Sequence, residues 1–250
     1  MVLAQPGQPG LSTDIQPRRR RSVWYGQRLT EAREQTVPGK ALVVGHSLGG
    51  AIVLASASPR IGWRVVFSSA GLVRLLVPSA VMVATVPWLA RPTVPRAARM
   101  LRPMVAAGGR VPDELAEWMA LVARCCPSSL APIPAASGAV DRAPGVPSLV
   151  ATGRYVFLPP QRVGPAAQRH LGTRLHVLDG SEHLLLDEAP DEILAPPIAT
   201  SAGPESADIE HFQSWSRRMA ASTWYASSGQ PGDTATPRES APIDFGAPFS

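Results

Sequence analysis

Lys40-Ala41-Leu42-Val43-Val44-Gly45-His46-Ser47-Leu48-Gly49-Gly50-Ala51-Ile52-Val53-Leu54-Ala55 is the stretch on which the fold turns. Ala41 to Val44 form a continuous apolar run with β-branched residues, the pattern of a strand covered on both faces of a parallel sheet. Ala51 to Ala55 suit a helix, which must end before Pro59. The glycine-rich segment between them leaves room only for a tight strand-to-helix turn. Its glycines at 45 and 49 are expected where a side chain would collide with the neighbouring helix or strand.

Outward from this unit, strands alternate with helical patterns. Arg64 to Phe67, Pro147 to Thr152 and Leu175 to Leu178 read as further buried strands. Trp24 to Gln35 reads as a helix leading into the first strand, and Arg162 to Leu171 as one stopped by Gly172. This alternation predicts an α/β domain with a mostly parallel sheet. The connection from about 71 to 144 is too long and too helical for a loop and is expected to be a cap over the carboxyl edge of the sheet. Its clearest helix is Pro112 to Ala123, with Asp113 and Glu114 in the first turn and Leu115, Trp118, Met119 and Val122 on one face.

Composition bounds the rest. The chain has 250 residues, 45% hydrophobic and 17% charged, enough apolar material for one globular domain. Residues 1–22 and 196–250 are rich in Pro, Gly, Ser and Ala and read as low-order ends, leaving 23–195 as the folded domain. The adjacent pair Cys125 and Cys126 cannot supply the two-pair spacing of a structural zinc site, and reads as ordinary thiols of a reducing, cytoplasmic compartment. The net charge of +5 is almost wholly arginine, Lys40 being the single lysine. The dense run Arg18 to Arg21 lacks interleaved aromatics, so no nucleic-acid partner is expected. Leu75 to Ala90 is uncharged but shorter than the ~20 residues of a spanning helix and carries Pro78 and Pro87, so no transmembrane span is expected either.

Gly45-His46-Ser47-Leu48-Gly49 matches the Gly-x-Ser-x-Gly nucleophile elbow in its required context, a strand before and a helix after. Such a turn pushes Ser47 into a strained, exposed position, and the Leu48 amide at the helix start can donate to a developing oxyanion. With Arg64-Val-Val-Phe-Ser-Ser-Ala-Gly-Leu72 and Gly180-Ser-Glu-His183, the chain from about Val23 to Ala195 resembles the α/β-hydrolase superfamily, especially its capped bacterial members. That resemblance implies Ser47 as nucleophile and His183 as general base; no cofactor is expected, and since no histidine pairs at metal-ligand spacing with Cys or a second His on one face, no metal either. The resemblance also implies a small-molecule acyl substrate, hence an esterase-type hydrolase. His46, Met82, Trp88, Trp118 and Met119 are the candidate lining of an apolar substrate pocket, although each of the cap residues suits plain core as well. His170, His176 and His211 rank below His183.

Two departures from the family pattern stand out. The family's acid normally follows the strand that ends here at Thr152-Gly153, but Gly153-Arg154-Tyr155-Val156-Phe157-Leu158-Pro159-Pro160 holds no carboxylate. Asp179 is the least implausible substitute; Glu182 is expected to project away from the His183 ring, and Asp187 and Asp141 to be solvated. The family also places several strands, one ending in the loop with the second oxyanion amide, before the elbow strand. Only Met1 to Lys40 precede it here, so the expected sheet is N-terminally truncated. The competing expectation is a weak or inactive hydrolase remnant that binds an apolar small molecule.

Overall fold

A computed structural model of the protein describes residues 5–7, 13, 15, 21–77, 79–126, 145–154 and 157–193. The ends read from composition as low-order thus lie almost wholly outside the described residues, as do Asp141, His211, and Tyr155 and Val156 of the loop that follows the third strand.

Four strands, β1 (Ala41–His46), β2 (Ile61–Phe67), β3 (Ser148–Thr152) and β4 (Leu175–Val177), form a sheet in the order β1-β2-β3-β4. Every pairing is parallel: His46 stands beside Phe67, Phe67 beside Ala151, and Thr152 beside Val177. The expected α/β architecture is therefore present, each strand lying within a few residues of its sequence reading.

Helices cover both faces. On one side α1 (Arg21–Thr36), α2 (Leu48–Ala55) and α6 (Pro160–Leu171) bring Tyr25, Leu29, Ile52, Leu54, Val163 and Ala167 against Val66 and Val150. On the other, the short helices α7 (Leu185–Glu188) and α8 (Pro190–Ile193) bring Leu185 and Ile193 against Trp63, Val65, Phe67, Leu149 and Ala151. Period-2 alternation along β2 thus feeds two separate cores, which is why its sequence reads as uniformly apolar. The exception is Arg64, fully buried in mid-strand, whose guanidinium has no hydrogen-bond partner among the described residues.

Within the long connection, α3 (Ser79–Ala90), α4 (Val94–Leu101), a 3₁₀ turn (Arg102–Met104) and α5 (Asp113–Cys125) make up the helical segment expected as a cap, called the cap below. Pro112 opens α5, with Asp113 and Glu114 complementing the positive end of the helix. Trp88, Ala97, Met100, Leu101, Val105 and Leu115 pack together as a core of the cap's own. Gly172 ends α6 at φ 66°, the left-handed stop anticipated from sequence.

Candidate active site

β1 ends in a turn that reverses directly into α2. Ser47, at the apex, has φ 52° and ψ −114°, a conformation that non-glycine residues adopt only when their surroundings enforce it. Three backbone bonds do so: Ser47 N donates to Phe67 O at 2.9 Å, and Ser47 O accepts from Ala51 N at 3.3 Å and Ala70 N at 3.2 Å. The side chain is thereby held above the carboxyl edge of the sheet. The Leu48 amide opens α2 and has no acceptor within that helix, so it is available to an oxyanion.

The glycine logic differs from expectation at one position. A Cβ on Gly45 would lie 2.6 Å from the Gly49 and Gly50 main chain, so Gly45 is sterically required. A Cβ on Gly49 would meet nothing within 4 Å, whereas one on Gly50 would lie 2.4 Å from Ser69 Oγ. The crowding lies one residue later than the motif suggests, because the turn packs against the Ser68-Ser69 corner that follows β2.

His183 lies in the loop between β4 and α7, and its Nε2 is 3.1 Å from Ser47 Oγ. Two residues read from separate ends of the sequence are thus brought into hydrogen-bond reach. The His183 main chain is held on both sides: its N–H donates to the Met104 carbonyl of the cap at 3.1 Å, and its carbonyl accepts from His46 Nε2 at 2.8 Å. The acceptor fixes the His46 tautomer, since Nε2 must carry the proton. The His46 and His183 rings lie 4.9 Å apart, centroid to centroid. Burial, with a smaller contribution from His46, pushes the His183 imidazole down to about pH 3. Burial likewise lowers His46, partly opposed by its bond to the His183 carbonyl.

Glu188, which the sequence marks only as part of the segment entering the last helix, organises this loop. Its Oε1 accepts the Ala106 amide of the cap at 2.6 Å and its Oε2 accepts the Glu182 amide at 2.7 Å. One carboxylate therefore joins the cap to the residue before the candidate base. The available signal was its position, five residues after His183 at the entry to the last helices. Glu182 itself is pushed up by burial and by Glu188, with Arg154 acting the other way. Asp187 is also raised, by burial and then Glu188, and its side chain stands exposed, as the sequence leads one to expect.

Asp179 is committed elsewhere. Its Oδ1 accepts from Arg154 Nε at 2.9 Å and lies 2.7 Å from Arg154 Nη2, in an exposed pair. Gly153, just before Arg154, is needed for close approach, since a Cβ there would lie 2.3 Å from Ser181 O. Of the five proposed pocket residues, only His46 contacts the Ser47–His183 pair through a described hydrogen bond or ring contact. Trp88 is buried in the cap core with Trp118 and Met119 packed against it, and Met82 stands on the exposed face of α3. Among the described residues there is no cluster of three or more His, Cys, Asp or Glu side chains suited to a metal ion. No described helix is long and apolar enough to cross a membrane, and Cys125 and Cys126 are free thiols.

The alpha/beta hydrolase family model matches residues 2–195, and the chain belongs to that family. Solved structures agree in fold. The chain is similar to a serine-to-alanine variant of a meta-cleavage product hydrolase from Pseudomonas fluorescens, with 21% identity and a TM-score of 0.58 over 76% of this chain and 74% of that one. It is similar to the 2-hydroxy-6-oxo-6-phenylhexa-2,4-dienoate hydrolase of a Rhodococcus strain, with 20% identity and a TM-score of 0.59 over 78% and 75%. An N-acyl homoserine lactonase complexed with N-butanoyl homoserine gives 22% identity and a TM-score of 0.56 over 80% and 78%. No match was found among curated proteins.

Proposed function

We propose that the protein is a serine hydrolase of ester or similarly activated acyl substrates. The observation that carries this reading is the 3.1 Å approach of His183 Nε2 to Ser47 Oγ at the strained turn above the sheet edge. Ser47 Oγ attacks the carbonyl carbon while His183 Nε2 takes its proton, and the Leu48 N–H stabilises the oxyanion. The imidazolium returns the proton to the leaving alcohol. His183 then deprotonates a water that attacks the acyl-enzyme, releasing the carboxylic acid and restoring Ser47. An ester is the chemistry shared by the lactonase and by a similar carboxylesterase from Bacillus subtilis.

A second reading, a weak hydrolase that retains the scaffold and binds an apolar molecule, is favoured by one observation. His183 is a poor base at about pH 3, and the nearest sequence candidate for its acid, Asp179, is paired with Arg154. Loss of the acid from such a triad lowers turnover by about 10⁴-fold. Fluorophosphonate labelling separates the two readings. The full chain is expected to label, Ser47→Ala to abolish the label, and His183→Ala to slow it by at least ~100-fold. A folded sample that does not label is not a serine hydrolase.

A further inference from the structure

Cap helix α3 is apolar all round, yet much of it faces solvent. Its 12 residues carry no charge. Val81 and Trp88 turn inward, at 5% and 7% exposure, whereas Met82, Val83 and Val86 stand out at 40%, 71% and 54%. Positions 82, 83 and 86 share one stripe of a helix. The segment leading in adds Leu76 and Val77, also exposed. A surface helix ordinarily turns polar side chains to water, and an outer face of this composition marks a contact surface.

The charges around it define what the face fits. Between Glu34 and Asp113 the sequence contains no acidic residue, while the cap part of that stretch contains Arg74, Arg91, Arg96, Arg99, Arg102 and Arg110. Arg74 and Arg91, both exposed, bracket the apolar run. A second acid-free stretch, between Asp141 and Asp179, includes α6. From α6, Arg162 and Arg169 join Arg74 in lining a groove of about 320 Å³, whose apolar wall includes Leu72 and Val73. An apolar ridge that continues along the chain from a carboxylate-free arginine groove is complementary to acyl chains beneath phosphates. A second copy of this chain is a poorer occupant, because two-fold symmetry would set the same cationic patch against itself.

We propose that α3 and the Arg74–Arg162–Arg169 groove form a docking face for an anionic lipid surface. Val83 and Val86 enter the acyl boundary and the arginines hold phosphates. This docking does not depend on the reactivity of Ser47.

The test is co-sedimentation of the full chain with vesicles of phosphatidylcholine alone or mixed with phosphatidylglycerol. Association with the mixed vesicles is expected, weakened by salt. The paired substitution Val83→Asp and Val86→Asp, at exposed positions and checked for fold by circular dichroism, should reduce partitioning at least ~10-fold. Replacing Arg74, Arg162 and Arg169 by Gln should reduce it roughly 100-fold, about fivefold for each arginine. Arg18 to Arg21 replaced by Gln should leave binding in place. The proposal is overturned if the wild-type chain ignores mixed vesicles, if the double Asp variant binds as wild type does, or if the Arg18 to Arg21 variant alone loses binding. It is equally overturned if the double Asp substitution only dissociates a dimer that does not bind vesicles.

Discussion

His46 Nε2 donates to the main-chain carbonyl of His183 at 2.8 Å, so the residue before the candidate nucleophile holds the backbone of the candidate base. His46→Ala leaves that carbonyl without its donor and is expected to cost about 1–3 kcal/mol in urea unfolding. Fluorophosphonate labelling of Ser47 should slow in the same variant, because the His183 ring loses its register. His46→Gln, which keeps a donor, should recover part of both losses. Equal behaviour of the Ala and Gln variants would show that His46 only fills space.

Glu188 accepts amides from two layers, Ala106 and Glu182. Glu188→Ala strands both donors and is expected to destabilise the protein by about 2–4 kcal/mol, since hydrogen bonds to charged groups are worth more than neutral ones. Glu188→Gln retains one acceptor oxygen and should fall between wild type and Ala. A thermal-melt series in which Gln matches Ala would deny the two-sided bond.

The two half-buried histidines, His46 and His183, set an acid limit. Above about pH 6.5 they are neutral both folded and unfolded and contribute no pH dependence. As pH falls below that value, the unfolded chain takes up protons that the folded protein refuses, down to about pH 3 for His183. Stability should therefore decline on acidification by up to ~1.4 kcal/mol per pH unit for each histidine. Denaturation midpoints measured between pH 7 and 4 should show a shallower decline for His46→Gln.

Gly45 and Gly50 are closed to a Cβ and Gly49 is open. Gly49→Ala, near the start of α2, is expected to be neutral or to stabilise by up to about 1 kcal/mol. Gly45→Ala and Gly50→Ala should each lower the melting temperature substantially. The motif's familiar second glycine is, on this geometry, the more dispensable one.

Arg64 sits in β2 between Val43 and Ser148, and burial lowers its pKa. Arg64→Met removes a buried charge with no described partner and is expected to stabilise by about 1–4 kcal/mol. Equilibrium unfolding that showed a loss instead would mean that the guanidinium contributes net stability where it lies.

Much of this molecule is legible in the chain. Buried parallel strands announce themselves as short β-branched runs, and the elbow's spacing located Ser47. His183 came from the family's histidine segment, and the structure sets it within reach of Ser47. What escaped has physical reasons. The Met104 carbonyl that steadies His183 is main chain, and any residue at 104 would present it. Glu188 looks like one more acid in Asp187-Glu188-Ala189-Pro190-Asp191, and only the approach of the cap gives it two amides. Met82 was read as pocket lining because α3 is apolar on every face, so periodicity carries no information about which side turns inward.

His183 is suspended between the 3₁₀ turn and the end of β1, with Glu188 tying Ala106, just past that turn, to Glu182, the residue before His183. The candidate base thus belongs to no single layer. A displacement of the Met104 carbonyl would act directly on the loop that carries the imidazole, so the placing of the 3₁₀ turn and the Ser47–His183 distance are linked through one hydrogen bond. Replacing residues 102–106 would remove half of the His183 mounting along with them.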